Sequence, residues 1–203
     1  MRREKLEELN SYIREFQTIK REKVETSCGF ITAEGYDFTL ANGEVIRREK
    51  VLKNGKNGGA AIIFPLTVDN NVLLIVEPRV FTREGVGISL PAGYIEDGEI
   101  PEMTARRELL EETGYASEEC KELLSFYQDE GCIEAMNYAF IAIGCKKIGE
   151  QKLDKGEFVR YFECSLDEAM ELIELGYIKG ANALLTMERA KTYVKERSRN
   201  VSC

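Results

Sequence analysis

Histidine is absent from all 203 residues. That absence removes Ser-His and Cys-His nucleophile chemistry, imidazole acid–base catalysis and His-ligated zinc. The six cysteines (Cys28, Cys120, Cys132, Cys145, Cys164 and Cys203) form no C-x-x-C pair. A zinc ribbon or thioredoxin-like site is therefore not expected, and most of these thiols read as small buried hydrophobes of a reducing, cytoplasmic compartment. Basic residues are outnumbered, 28 Lys+Arg against 36 Asp+Glu for a net charge of −8, which argues against nucleic-acid partners. Long apolar runs are also missing. Ala60–Leu66 contains a proline and falls far short of the roughly 20 residues that span a bilayer, so no membrane segment is expected. The N-terminal MRREKLEELN has no apolar stretch of the secretory kind. What remains is 43% hydrophobic and 32% charged, a globular composition able to bury a sizeable core without disulfides.

Leu6, Leu9, Ile13 and Phe16 recur at helical spacing, which predicts an amphipathic helix over about 2–20. Aromatic and β-branched residues from Cys28 to Leu52, broken at Ala41-Asn42-Gly43-Glu44, predict an antiparallel hairpin. The cluster Lys53–Gly59 reads as a flexible join and admits no P-loop pattern. A second hairpin, Ala60–Val68 and Val72–Val80, is expected across Asp69-Asn70-Asn71. Further strands are expected at Leu123–Gln128, Tyr138–Cys145 and Phe158–Cys164, and helices at Pro101–Thr113, Leu166–Leu175 and Ala183–Lys195. Gly85-Val86-Gly87 lacks the third glycine and following helix of a dinucleotide fingerprint and reads as a loop. Hairpins mixed with helices argue for a mixed sheet flanked by helices.

The chemistry concentrates in Gly93–Tyr115, GYIEDGEIPEMTARRELLEETGY. Pro101 suits a first helical turn and Gly114 the position that ends a helix. Met103, Leu109 and Leu110 are expected to face the core, with Glu108, Glu111 and Glu112 converging on the opposite side. Like charges at this spacing cost a few tenths of a kcal/mol per pair, roughly, on a solvated helix. A solvated acidic face or a site for a hard divalent cation both fit the helix alone. The approach Leu90-Pro91-Ala92-Gly93 favours the cation, because glycine admits backbone close to the helix and the Ala92 carbonyl adds an oxygen donor. Arg107 is spaced to brace Glu99 and Glu111.

This segment resembles the Nudix box, G-x5-E-x7-R-E-U-x-E-E-x-G-U with U apolar, met by Gly93, Glu99, Arg107, Glu108, Leu109, Glu111, Glu112, Gly114 and, unusually aromatic, Tyr115. The resemblance extends over about residues 35–195. It implies an α/β fold, a Nudix-type α/β/α sandwich with a mixed sheet, here carrying an N-terminal helix and β-hairpin region. Residues 1–57 would form that N-terminal, dimerising element and residues 58–203 the hydrolase domain. It also implies Mg²⁺ or Mn²⁺ as cofactor, with Glu108, Glu112, Glu111 and the Ala92 carbonyl around the metal, and Arg107 and Glu99 as braces. The substrate class would be a nucleoside diphosphate linked to another group.

Within the family the chain looks most like the ADP-ribose pyrophosphatase group, through Pro91-Ala92-Gly93, the N-terminal strand region and Val76-Glu77-Pro78-Arg79. That likeness assigns Arg79 to a substrate phosphate, lets Arg48 reach a partner's site in a homodimer, and makes the loop residue Glu157 the best match for a catalytic base, with Glu130 and Glu134 as rivals. Ser89 and Glu130 depart from the group's usual glutamate and proline. Other substrates therefore stay open: an oxidised nucleoside triphosphate, a coenzyme, or a dinucleoside polyphosphate with Tyr36, Phe38 or Tyr127 as platform, although such aromatics more commonly belong to a core. A non-catalytic nucleotide-sugar sensor is a further alternative; sensors of that kind usually have eroded carboxylates and a basic helix-turn-helix domain, and neither is seen.

Overall fold

The structure, a computed structural model, describes residues 1–23, 29–53 and 56–201. Cys28, Cys203 and part of the Lys53–Gly59 join lie outside the described residues. Along the chain run α1 (Arg3–Gln17), β1 (Ile31–Thr39), β2 (Val45–Lys53), β3 (Ala60–Thr67), β4 (Asn71–Arg79), β5 (Gly85–Ser89), β6 (Ala92–Tyr94) and α2 (Pro101–Thr113). They are followed by β7 (Tyr115–Ala116), β8 (Glu119–Tyr127), β9 (Met136–Lys147), β10 (Arg160–Ser165), α3 (Leu166–Glu174) and α4 (Ala181–Val201). No described helix is long and apolar enough to cross a membrane.

β1 and β2 form a two-stranded sheet of their own, Thr39 opposite Val45 through Ile31 opposite Lys53, and the Val51 N–H of β2 donates to the Cys132 carbonyl at 2.8 Å. Their turn is wider than the Asn-Gly signal implies. Only Gly43 takes a positive φ (83°), and Asn42 instead accepts the Glu44 N–H on its side-chain oxygen. The other strands form one eight-stranded sheet of order β10-β4-β3-β9-β7, with β5 on β4, β6 on β3 and β8 on β9. β3 and β9 run parallel while the other pairs are antiparallel, so the sheet is mixed as expected.

Strand alternation builds both layers of core. Ile62, Phe64 and Leu66 of β3 and Val72, Leu74 and Val76 of β4 point to one face, under Leu9 and Phe16 of α1, Leu172 of α3 and Met187 of α4. Ala61, Ile63 and Leu73 point to the other, under Ala105 and Leu109 of α2. The result is the expected α/β/α sandwich. Cys145 and Cys164 are buried, whereas Cys120 and Cys132 are only partly covered; all four are free thiols.

The structure departs from two expectations. Gly85–Gly87 is not a loop but the start of β5, with Gly87 opposite Glu77. Pairing to β4 makes it a strand, a non-local cause that its own composition does not reveal. On α2, Met103 is 55% exposed and Leu110 only partly covered; the inward face is Thr104, Ala105, Glu108, Leu109, Glu112 and Thr113. Two of the acids therefore share the core-facing side with Leu109 rather than opposing it. Smaller differences concern β8, which starts earlier at Glu119, and α4, which extends beyond 183–195 at both ends.

α3 begins with a capping box, Ser165 accepting the Glu168 N–H while the Glu168 carboxylate accepts from the Ser165 backbone. Burial pushes the Glu168 carboxyl up, but N–H groups of Arg2 and Ser165 and the Ser165 hydroxyl outweigh it and hold it at about 2, against an ordinary 4.5. A depressed folded value means stability that is complete above the ordinary carboxyl range and is lost as pH falls towards about 2. Glu168→Ala is expected to cost about 1 kcal/mol at pH 7. Its deficit in urea denaturation should shrink at pH 3; an unchanged gap would remove the carboxylate as its source.

Candidate active site

The site forms where the sheet divides. β3 and β4 pair only at Leu66 and Val72 beside their turn, then separate. β5 takes β3's place along β4, β6 takes β4's place along β3, and buried Leu90 with Pro91 crosses from one arm to the other. The Pro91 carbonyl accepts the Ile63 N–H at 3.0 Å, which ties that crossing to β3. Helix α2 lies over the β6 arm. Its start needs no side-chain cap because Pro101 occupies the first turn, and it ends at Gly114, φ 75°, where a side chain would strike the Gly149 carbonyl.

Gly93 sits directly against Glu108: a Cβ built on it would overlap the Glu108 carboxylate. Next to it, the Ala92 N–H donates to Glu112 Oε2 at 3.0 Å. Arg107 spans the acids from the other side, its Nε 2.9 Å from Glu99 Oε1 and its Nη1 2.7 Å from Glu108 Oε1 and 2.9 Å from Glu111 Oε2. Glu99 also accepts the Thr104 hydroxyl at 2.7 Å. Arg107 above all, with Thr104, holds the Glu99 carboxyl down at about 2. Arg107 and Glu99 thus stand as the braces that the spacing predicts.

A cavity of about 800 Å³ opens over this arrangement, with Glu77, Arg79, Ala92, Glu108, Glu112 and Glu157 on its wall. Burial pushes the carboxyls of Glu77, Glu108 and Glu112 above their usual range, Glu112 most strongly because Glu77 and Glu108 add like charge beside it. Glu112 is 5% exposed and Glu108 8%. Clustered, desolvated carboxylates remain costly even with Arg79 on Glu77, Arg107 on Glu108 and the Ala92 N–H on Glu112, and a doubly charged ion would relieve that cost. Among the described residues no three acidic or thiol groups already stand as a closed metal cage. The donor set nevertheless fits a hard octahedral ion, which uses one or two carboxylates and keeps several waters. Glu108, Glu112 and the Ala92 backbone are the groups that would hold it.

The sequence-derived residues divide between two places. Ala92, Glu108, Glu112, Arg79 and Glu157 come together at this cavity, Glu157 on an exposed loop where its carboxylate accepts the Asp154 N–H at 2.9 Å. Glu111 stands at the edge, engaged with Arg107 and not on the cavity wall. Arg48, Glu130 and Glu134 line a separate cavity of about 760 Å³ together with Tyr36, Phe38 and Tyr127. Those three aromatics are not core: they are 42%, 50% and 50% exposed. Within one chain Arg48 therefore does not reach the carboxylates.

Sequence reasoning missed Glu77 and the neutral pair Gln128 and Asn137. Glu77 left a signal, a charge that ends the otherwise apolar buried run of β4. Asn137 left none; it is 1% exposed, accepts the Ala60 N–H and donates to Asn182, roles that only the assembled sheet defines.

A sheet held between helices, with the acids of one helix turned inward beneath a glycine of an adjoining strand, defines a hydrolase of the Nudix type. The NUDIX domain family matches residues 56–184, and the chain belongs to that family. It is 32% identical over 175 residues to the methanol dehydrogenase activator of Bacillus methanolicus, covering 86% of this chain and 91% of that protein. It is 33% identical over 139 residues to the ADP-ribose pyrophosphatase of Bacillus subtilis (strain 168), covering 68% and 72%. It is 31% identical over 163 residues to the GDP-mannose pyrophosphatase of Enterobacter sp. (strain 638), covering 75% and 83%. A solved structure described as an ADP compounds hydrolase shares the fold, with a TM-score of 0.75 at 24% identity over 88% of this chain and 93% of that one.

Proposed function

We propose that the protein is a Mg²⁺- or Mn²⁺-dependent pyrophosphatase that cleaves the phosphoanhydride of ADP-ribose or a related nucleotide sugar into a nucleoside monophosphate and a sugar phosphate. The observation that carries this is the inward cluster of Glu77, Glu108 and Glu112 lining one cavity together with Arg79. Relatives named as pyrophosphatases of ADP-ribose and GDP-mannose support the substrate class. When bound, the cation would act as a Lewis acid towards the diphosphate and offset charge developing there. Glu108, Glu112 and the Ala92 carbonyl would hold it, and Glu111 would support that metal-and-water network from its place on Arg107. Arg79 receives a substrate phosphate, and Glu157, on its exposed loop, takes the proton from the attacking water.

The same proposal makes residues 1–57 the dimerising element and residues 58–203 the hydrolase domain, with α1 packed into the core of the latter and β1–β2 left to meet a partner. Support comes from β1, exposed along its whole length, with Ile31 and Phe38 at least half exposed. In such a homodimer Arg48 would serve the partner's site. The free thiols accord with a cytoplasmic location. A dinucleoside polyphosphate is the second substrate favoured by an observation, the gathering of Tyr36, Phe38 and Tyr127 around their own cavity.

The test is incubation with Mg²⁺ and a panel of nucleotide sugars, triphosphates and dinucleoside polyphosphates, with products identified by mass. AMP from ADP-ribose is expected, with EDTA lowering the rate at least about 10²-fold and Mn²⁺ restoring it. Turnover that persists in EDTA would overturn the metal assignment. Binding without turnover of any compound would favour a sensor.

A further inference from the structure

We infer that Glu77 and Gly87 are positioning residues that together fix Arg79 over the carboxylate cavity, an inference that rests on the phosphate role proposed for Arg79. Glu77 and Gly87 face each other across the β4–β5 pairing, Arg79 lying two residues further along β4 and opposite Gly85. Glu77 Oε1 is 2.5 Å from the Arg79 guanidinium, and the two side chains differ sharply in exposure, 12% for Glu77 and 56% for Arg79. The buried partner is therefore the fixed end of the pair and the arginine the end that is held.

Gly87 supplies the path. A Cβ there would come within 2.7 Å of Arg79 Cγ, 3.6 Å of its Cβ and 3.8 Å of its Cδ. The aliphatic stem of Arg79 thus lies across the bare backbone of β5, and any side chain at that position would lift it away. An arginine free of both constraints spreads over many rotamers, and ordering it would be charged against each binding event. The strand itself has no use for a glutamate at position 77. The preceding Val72–Val76 are all buried and apolar, and continuing that run would avoid a desolvated charge beside Glu112.

Simple electrostatics predicts the opposite effect of removing Glu77. A carboxylate near a phosphate site repels the ligand, so its loss should tighten binding. The positioning role predicts weaker binding, and the sign decides. Titration calorimetry with α,β-methylene-ADP and Mg²⁺ reads it without any turnover. Glu77→Ala is expected to weaken binding about tenfold, Glu77→Gln, which keeps an oxygen acceptor, only about threefold, and Gly87→Ala, which changes no charge, about tenfold. Glu77→Ala added to Arg79→Ala should cause no loss beyond Arg79→Ala alone, since both act through one guanidinium. Melting temperatures are recorded in parallel; a purely structural role would move them while leaving affinity unchanged in the folded protein. Binding by Glu77→Ala as tight as wild type or tighter, or losses that multiply in the double variant, would overturn the inference while leaving the functional proposal standing. Failure of the wild-type protein to bind the nucleotide would overturn both.

Discussion

Glu112→Gln is expected to lower turnover about 10³-fold while the metal-free protein melts no lower than wild type. Both halves follow from the same surroundings. The glutamine keeps the size of the side chain and an oxygen for the Ala92 N–H, so the contact that docks β6 on α2 survives. It removes a desolvated negative charge that Glu77 and Glu108 already disfavour, which takes away a cost of folding. It also removes an anionic oxygen from the place where a cation and a diphosphate would meet. Mg²⁺ should accordingly raise the melting temperature of the wild type more than that of the variant, because a ligand stabilises the state that binds it. Wild-type turnover in Glu112→Gln would withdraw Glu112 from the metal set.

Gly93→Ala should produce the second large effect, through shape alone. The added methyl would overlap the Glu108 carboxylate and come within 2.8 Å of Glu108 Cγ. β6 cannot retreat easily, since Gly93 is paired opposite Ala61 and Ala92 opposite Ile62 in β3. Glu108 must then leave its place between Gly93 and the 2.7 Å contact with Arg107. Overpacking of this kind costs about 1–3 kcal/mol. Displacing a reacting or charge-bearing group by about 1 Å costs about 10²-fold in rate. Turnover and thermal melting measured on one preparation check both. A variant as active as wild type would show that Glu108 need not stand where the glycine lets it stand.

What the sequence makes legible is local. Pro101 and Gly114 bound α2 at the expected residues because their dihedral constraints act within one turn. The spacing of Arg107 and Glu111 translates into the observed ion pair because residues four apart on one helix meet, and the expected brace to Glu99, just before the helix, is present as well. The pair of Arg107 with its neighbour Glu108 is not predicted by spacing. The inward face of α2 was misread. Hydrophobic patterning places Met103 and Leu110 inside and acids outside, whereas a site that must shield carboxylates from water turns Glu108 and Glu112 inward with Leu109. β5 was missed because β4 makes it a strand. The place of Glu77 depends on strand register with β5 and on Glu112 three elements later, distances in sequence over which no spacing rule operates. The separation of Arg48 and Tyr127 from the carboxylates is of the same non-local kind.

The parting of β3 from β4 beyond Leu66 and Val72 bears on how such an enzyme diversifies. Its two arms are bolted at a set distance by the Leu90–Pro91 crossing, and that distance is dictated by buried aliphatic packing on both faces. Part of the border of the opening is instead formed by connecting segments around Gln128 and Glu157, both of which are exposed. Descendants of such a scaffold can redraw the border and exchange one leaving group for another while the anvil beneath it stays untouched.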